Sequence, residues 1–261
     1  MNKWILALVA AAAGVFLWVH FHSSQPDSAR SPIAITSPTE TTPVAPHTQY
    51  PVPTETPQAD SAQAQQAVTS PADNSIEAAL SALFGKDKFE AVFNIKDLVR
   101  RIVVTVDNAT KLQQPSQEFS PFKPMEIEFV ATGKGADQSI SPRNFERYKP
   151  YVDLVRNTDM HQIAKLYVRY YSLFQSAYQD LGTQGYFNDR LIEVIDHILS
   201  TPDVKSPIKI HQPTYKYRYK YVDDQIEALS SSQKLLIRTG EDNAQVIKAK
   251  LRELRPLLIK K

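Results

Sequence analysis

Leu98-Val-Arg-Arg-Ile-Val-Val-Thr-Val-Asp-Asn108, read together with Ile95 just ahead of it, decides the fold. Ile95, Leu98, Val99, Ile102, Val103 and Val106 recur at i, i+3 and i+4 over three turns. At 3.6 residues per turn that spacing gathers the apolar side chains into one stripe and sends Arg100 and Arg101 to the far side. The stretch predicts a helix with a buried face, and the same periodicity dominates the sequence around it.

Working outward, Asn74 is expected to cap a short helix, with Glu77 at the third position in the manner of a capping box and Gly85 at its end. A strand is expected over about 125–131, closed by Gly133-Lys-Gly135. Ser141-Pro142 opens a helical run to about Arg156. One helix is predicted from about Met160 to Asp180, with Ile163, Leu166, Tyr167, Tyr170, Tyr171, Phe174 and Tyr178 on one face. Phe187 to Ser200 reads as another amphipathic helix, stopped by Thr201-Pro202. A strand near Tyr215–Tyr221 precedes two closing helices, about Ser231–Thr239 and Asp242–Leu258, with Gly240 as the cap between them. The fold class is therefore mainly α, a single helical domain over residues 75–261 with a small β element.

Two further segments precede that domain. Residues 22–74 hold nine of the chain's 18 prolines, and most of the remainder is Ser, Thr, Gln and Ala without apolar periodicity. Such a composition buries too little surface to offset ordering entropy, so a disordered Pro/Ser/Thr-rich linker is expected. Its reach lies between about 40 Å for a flexible coil and ~160 Å for a polyproline II rod. Trp4 to Phe21 is an uncharged apolar run of eighteen residues, about 27 Å as a helix, which suits a bilayer's hydrocarbon core. The run is too long for a typical signal-peptide core, and Trp18-Val19-His20-Phe21-His22 offers no small-x-small exit. Residues 1–21 are therefore read as an uncleaved signal anchor, with Lys3 placing the amino terminus inside and the bulk of the chain outside.

Composition excludes several function classes. The chain has no cysteine, which removes disulfides, zinc thiolate and iron–sulfur sites and a thiol nucleophile. Residues 75–261 carry 28 Lys/Arg against 23 Asp/Glu, too modest a basic excess for nucleic-acid binding. Seven glycines and no phosphate-loop or Gly-x-Ser-x-Gly motif argue against a nucleotide cradle or a serine-elbow hydrolase. No cofactor is expected.

Three stretches could carry chemistry. On the Phe187–Ser200 helix, Asp189, Glu193, Asp196 and Ser200 fall within about 40° of one line, with Arg190 and His197 beside them. Asp189, Glu193, Asp196 and His197 could hold a divalent metal or divide general-acid and general-base duties. The opposite face, Phe187, Leu191, Val194, Ile195 and Ile198, is a core stripe, so the plainer reading makes the ridge a solvated surface, and no metal ligand set is assigned. The second stretch is Tyr215-Lys-Tyr-Arg-Tyr-Lys-Tyr221. Alternation separates its tyrosines from Lys216, Arg218 and Lys220, which could meet an anionic surface or simply protect an edge strand. The third is the last helix, with Ile247, Leu251, Leu254 and Leu258 inward and Lys248, Lys250, Arg252 and Arg255 outward. It could lie on a membrane, but docking on its own domain is the ordinary arrangement. His161 is read as a residue that caps or lines its helix.

Taken together, Leu98 through Asn108, Ile140-Ser-Pro-Arg-Asn-Phe-Glu-Arg-Tyr148, Tyr167 through Ala177, Gly185-Tyr-Phe-Asn-Asp-Arg-Leu-Ile-Glu-Val-Ile-Asp-His197 and Leu229 through Gly240 resemble the DUF3014 family. The likeness runs in order over about residues 76–258. It implies a bacterial, membrane-anchored protein of the inner membrane facing the periplasm, and it supplies no catalytic residues. The expected function is a membrane-tethered, non-enzymatic binding or scaffold domain of the envelope with a protein partner. The alternative is a hydrolase or metal-dependent enzyme using Asp189, Glu193, Asp196 and His197. The enzyme needs those four to converge in a cleft, whereas the binding domain leaves them spread out or tied up by a cation such as Arg143 or Arg169.

Overall fold

The computed structural model describes residues 48–53, 75–113, 115–124, 128–213 and 218–260. The predicted anchor at 4–21 and most of the predicted linker lie outside the described residues. Among those described, no helix is long and apolar enough to cross a membrane. Over the described residues, ten α-helices and two small two-stranded sheets make the fold mainly α.

Helix α1 (Ile76–Phe84) is capped by Ser75, whose hydroxyl accepts from the Ala78 amide at 3.1 Å. The cap thus falls one residue beyond the expected Asn74, because a serine hydroxyl in that place reaches an otherwise orphaned amide. Gly85, at φ +77, ends α1 and turns directly into α2 (Lys86–Val92). Phe84, Phe89, Phe93 and Phe122 follow one another with ring centroids 5.0–5.7 Å apart, an aromatic file that glues this corner to the loop around residue 122. Helix α3 (Leu98–Asn108) buries Leu98, Ile102, Val103 and Val106 of the predicted stripe and also Val104 and Thr105, while Val99, and Ile95 ahead of the helix, are half-buried against the core.

Helix α4 (Arg143–Arg156) starts where Ser141-Pro142 foretold. The helix expected over 160–180 is instead two, α5 (Met160–Arg169) and α6 (Tyr171–Gln179). Tyr170 leaves the helical region at φ −104, ψ 13, and the bend lets Tyr167, Phe174 and Tyr178 all close around Phe187. Helix α7 (Phe187–Leu199) runs through the middle of the core with Phe187, Leu191, Ile192, Val194, Ile195 and Ile198 buried. After the short α8 (Asp224–Glu227) come α9 (Ser231–Arg238), with a full capping box at Ser230 and Gln233, and α10 (Glu241–Leu254). A 3₁₀ turn, Arg255–Leu258, follows α10 at Pro256. Ile247, Leu251, Leu254 and Leu258 are buried, so the last helix docks on its own domain. Lys248 does not point outward as expected. It is buried, and its ammonium donates to Asp203 at 2.7 Å, which holds that carboxyl below its ordinary range.

The β structure is smaller than the sequence suggested. Strand β1 is only Ala131–Thr132, paired antiparallel with β2 (Ser139–Ile140), and residues 128–130 ahead of it are not strand. Strand β3 (Ile210–His211) pairs with β4 (Lys220–Tyr221), and the Ile140 amide bonds to the Ile208 carbonyl, joining the two ladders. Ile140, Ile208, Ile210, Tyr221 and Ile237 form a second, minor core here.

Residues 48–53 lie against the domain, although their composition predicted a disordered spacer. Their bonds to α7 and to the chain end, given below, supply what the apolar bookkeeping left out.

Candidate functional site

Helix α7 holds the four acid–base candidates, and its first turn decides what they do. Asn188 is fully buried because the bend between α5 and α6 brings the Tyr167 hydroxyl to its side-chain oxygen at 3.0 Å. Burial raises the Tyr167 phenol well above its ordinary value, so it stays a donor. The Asn188 amide nitrogen, oriented by that bond, donates to the Tyr50 carbonyl at 2.7 Å and to the Leu258 carbonyl at 3.0 Å. Asp189, one residue on, faces the same segment. One carboxylate oxygen accepts from the Tyr50 amide at 2.6 Å and the other from the Gln49 amide at 3.0 Å. The Thr48 hydroxyl adds a bond of 3.3 Å. Main-chain donors on a carboxylate that also sits in a helix's first turn are doubly favoured, by charge-assisted bonding and by the helix dipole.

Further along, each remaining candidate has a different partner. Glu193 pairs with Arg190 at 2.8 Å, and Arg190 also donates to the Asp107 carbonyl at 2.6 Å and the Thr110 hydroxyl at 2.8 Å, tying α7 to the end of α3. Asp196 takes a two-pronged contact from Arg255, at 2.6 and 2.8 Å, which locks α7 to the 3₁₀ turn after α10. That contact raises the Arg255 guanidinium above its ordinary value. The guanidinium also lies 5.9 Å from the centre of the Tyr50 ring. Fork-to-fork geometry gives such a half-exposed pair about 1 kcal/mol.

His197 reaches across to α9, with Nε2 2.8 Å from the Ser230 hydroxyl. A hydroxyl and an imidazole at that distance match a nucleophile and its base. Ser230 is nevertheless buried, accepts from the Gln233 amide at 3.2 Å as the helix cap, and lies 3.0 Å from the Ser232 hydroxyl. It is spent on structure. Burial, with Arg190 nearby, lowers the His197 pKa from its ordinary value.

The structure therefore spreads Asp189, Glu193, Asp196 and His197 over four separate attachments, made by Arg190, Arg255, Ser230 and the linker's amides rather than by Arg143 or Arg169. Among the described residues, no three His, Asp or Glu side chains converge as metal ligands would. In the basic strand, Lys216 lies outside the described residues. Arg218 and Lys220 are exposed, while Tyr219 and Tyr221 turn inward, Tyr221 donating to the Lys234 carbonyl at 3.0 Å. His161 is exposed on α5, where its amide donates to the capping Asp159 at 2.8 Å. Asn188, Tyr50 and Ser230 were missed as site residues by sequence reasoning. The only sequence signal was the Asn188-Asp189-Arg190 stretch, since nothing in periodicity links residue 50 to residue 188.

Residues 98–255 match the family model described as a protein of unknown function (DUF3014). No curated protein and no solved structure matches the chain.

Proposed function

We propose a function for this chain from one premise: it belongs to the DUF3014 family. The reading is a non-enzymatic binding or scaffold domain, held at the bacterial inner membrane by residues 4–21 and displayed in the periplasm to a protein partner of the envelope. One observation carries the binding half. Asp189, Asp196 and His197 each hold α7 to another segment, and Glu193 is paired with Arg190, which ties α7 to α3, so the ridge works as a set of fasteners. An acid–base pair or a metal centre needs groups converging on a common open point, and these four diverge along the helix. The membrane half rests on the uncharged eighteen-residue run and its single inner cation.

The test has two arms. Glu193→Gln and His197→Gln should leave intact the crosslinks that the wild-type chain makes in whole membranes. A divalent metal that raised the Tm of the wild-type chain, but not of these variants, would turn the reading toward a metal-dependent enzyme. Protease added to spheroplasts should digest residues 75–261, and their survival there would contradict the periplasmic placement.

A further inference from the structure

We infer that the start of α7, with the chain end beside it, is a binding site for a peptide bent just ahead of a proline, and that its ligand is the chain's own segment 48–53. This goes beyond the reading above, because it names a ligand and requires neither a membrane nor a second protein.

The site reads main chain. Asp189 takes the amides of Gln49 and Tyr50, Asn188 gives to the Tyr50 carbonyl, and the Lys260 amide gives to the Pro51 carbonyl at 2.7 Å. Four main-chain groups over three residues are thereby satisfied from two different parts of the domain. Pro51 and Pro53 have no N–H to leave unpaired, and their fixed φ lowers the entropy lost on docking. Main-chain bonds supply affinity in peptide recognition of this kind, and side-chain contacts supply selectivity. Here the selective contact is the Tyr50 ring beside Arg255, whose guanidinium Asp196 already holds in place. The domain itself orients the donor, since the Tyr167 hydroxyl bonds the Asn188 side-chain oxygen and turns its nitrogen toward the Tyr50 carbonyl.

The occupant is settled by chain length. Residues 54–74, 21 in number, connect the segment to α1, so the site meets its own linker at the high effective concentration of an intramolecular ligand. Occupancy has a mechanical consequence. With the segment seated, only residues 22–47 separate the predicted anchor from the domain; with it released, residues 22–74 do.

Hydrogen exchange of the full chain in detergent, read by mass spectrometry over residues 46–55, tests this. The Gln49 and Tyr50 amides should exchange at least about tenfold more slowly than in a synthetic peptide of the same residues. Asp189→Ala should restore the Tyr50 amide to the peptide's rate. Gln49→Pro, which removes one donor from the ligand side and leaves the domain untouched, should speed it about tenfold. Protection of α3 and α10 should not change in Gln49→Pro. Peptide-like exchange in the wild-type chain, or protection that survives both substitutions, would overturn the site. Protection that disappears on dilution would overturn the intramolecular ligand in favour of a second copy.

Discussion

Asn188 uses its whole side-chain amide inside the protein: the oxygen accepts from Tyr167, and the nitrogen serves two carbonyls, those of Tyr50 and Leu258. Asn188→Ala leaves a buried phenol and a buried carbonyl without partners, which should cost about 2–3 kcal/mol. Urea unfolding of the two proteins, compared by midpoint at equal slope, measures it. His197 makes a separate prediction. Its pKa is lowered in the folded state, so the unfolded chain binds the proton more readily. The contribution is complete above the ordinary value of 6.5 and is lost as pH falls through that value toward the lower folded one. His197→Gln should flatten the acid side of a stability-versus-pH curve, whereas an unchanged slope below pH 6.5 would contradict the shift. Neither role was legible in the sequence. Asn188 adjoins a polar ridge, and its partners lie 21, 70 and 138 residues away. His197 on the same ridge is half-buried beside Ser230, which caps another helix 33 residues on.

At the scale of elements, apolar spacing told most of the story. The stripes of α3, α7 and α10 were all readable, because a buried face imposes its period on the residues that form it. The break at Tyr170 was not. No Pro or Gly marks it, and the aromatic stripe continues through it, so only the packing of Tyr167, Phe174 and Tyr178 around Phe187 sets the bend. Lys248 misled for a related reason, since its partner Asp203 lies 45 residues back in a loop. Gly240 was read correctly as a cap, but the structure shows a second demand on it. Its φ is +90, and a Cβ there would lie 2.7–3.0 Å from ring carbons of Phe145. Gly240→Ala should therefore combine backbone strain with a clash between α4 and the α9–α10 junction, costing roughly 1–3 kcal/mol. For a chain of this size that lowers Tm by about 3–10 °C, readable by thermal melting.

For the whole molecule, α7 is where the parts meet. Its apolar face makes the core, and its polar face fastens α3, α9, the chain end and residues 48–53. The segment's docking could not be foreseen from a composition that argues only through apolar area, because the attachment is made by backbone polar groups that every sequence possesses. That fastening is the central claim, and the absence of cysteine gives clean access to it. Pro51→Cys and Lys260→Cys, spin-labelled together in the full chain, place two probes beside the bond between the Pro51 carbonyl and the Lys260 amide. The account predicts spectra broadened by dipolar coupling, independent of protein concentration and lost in Asp189→Ala. Sharp, uncoupled spectra in the otherwise wild-type chain would contradict it.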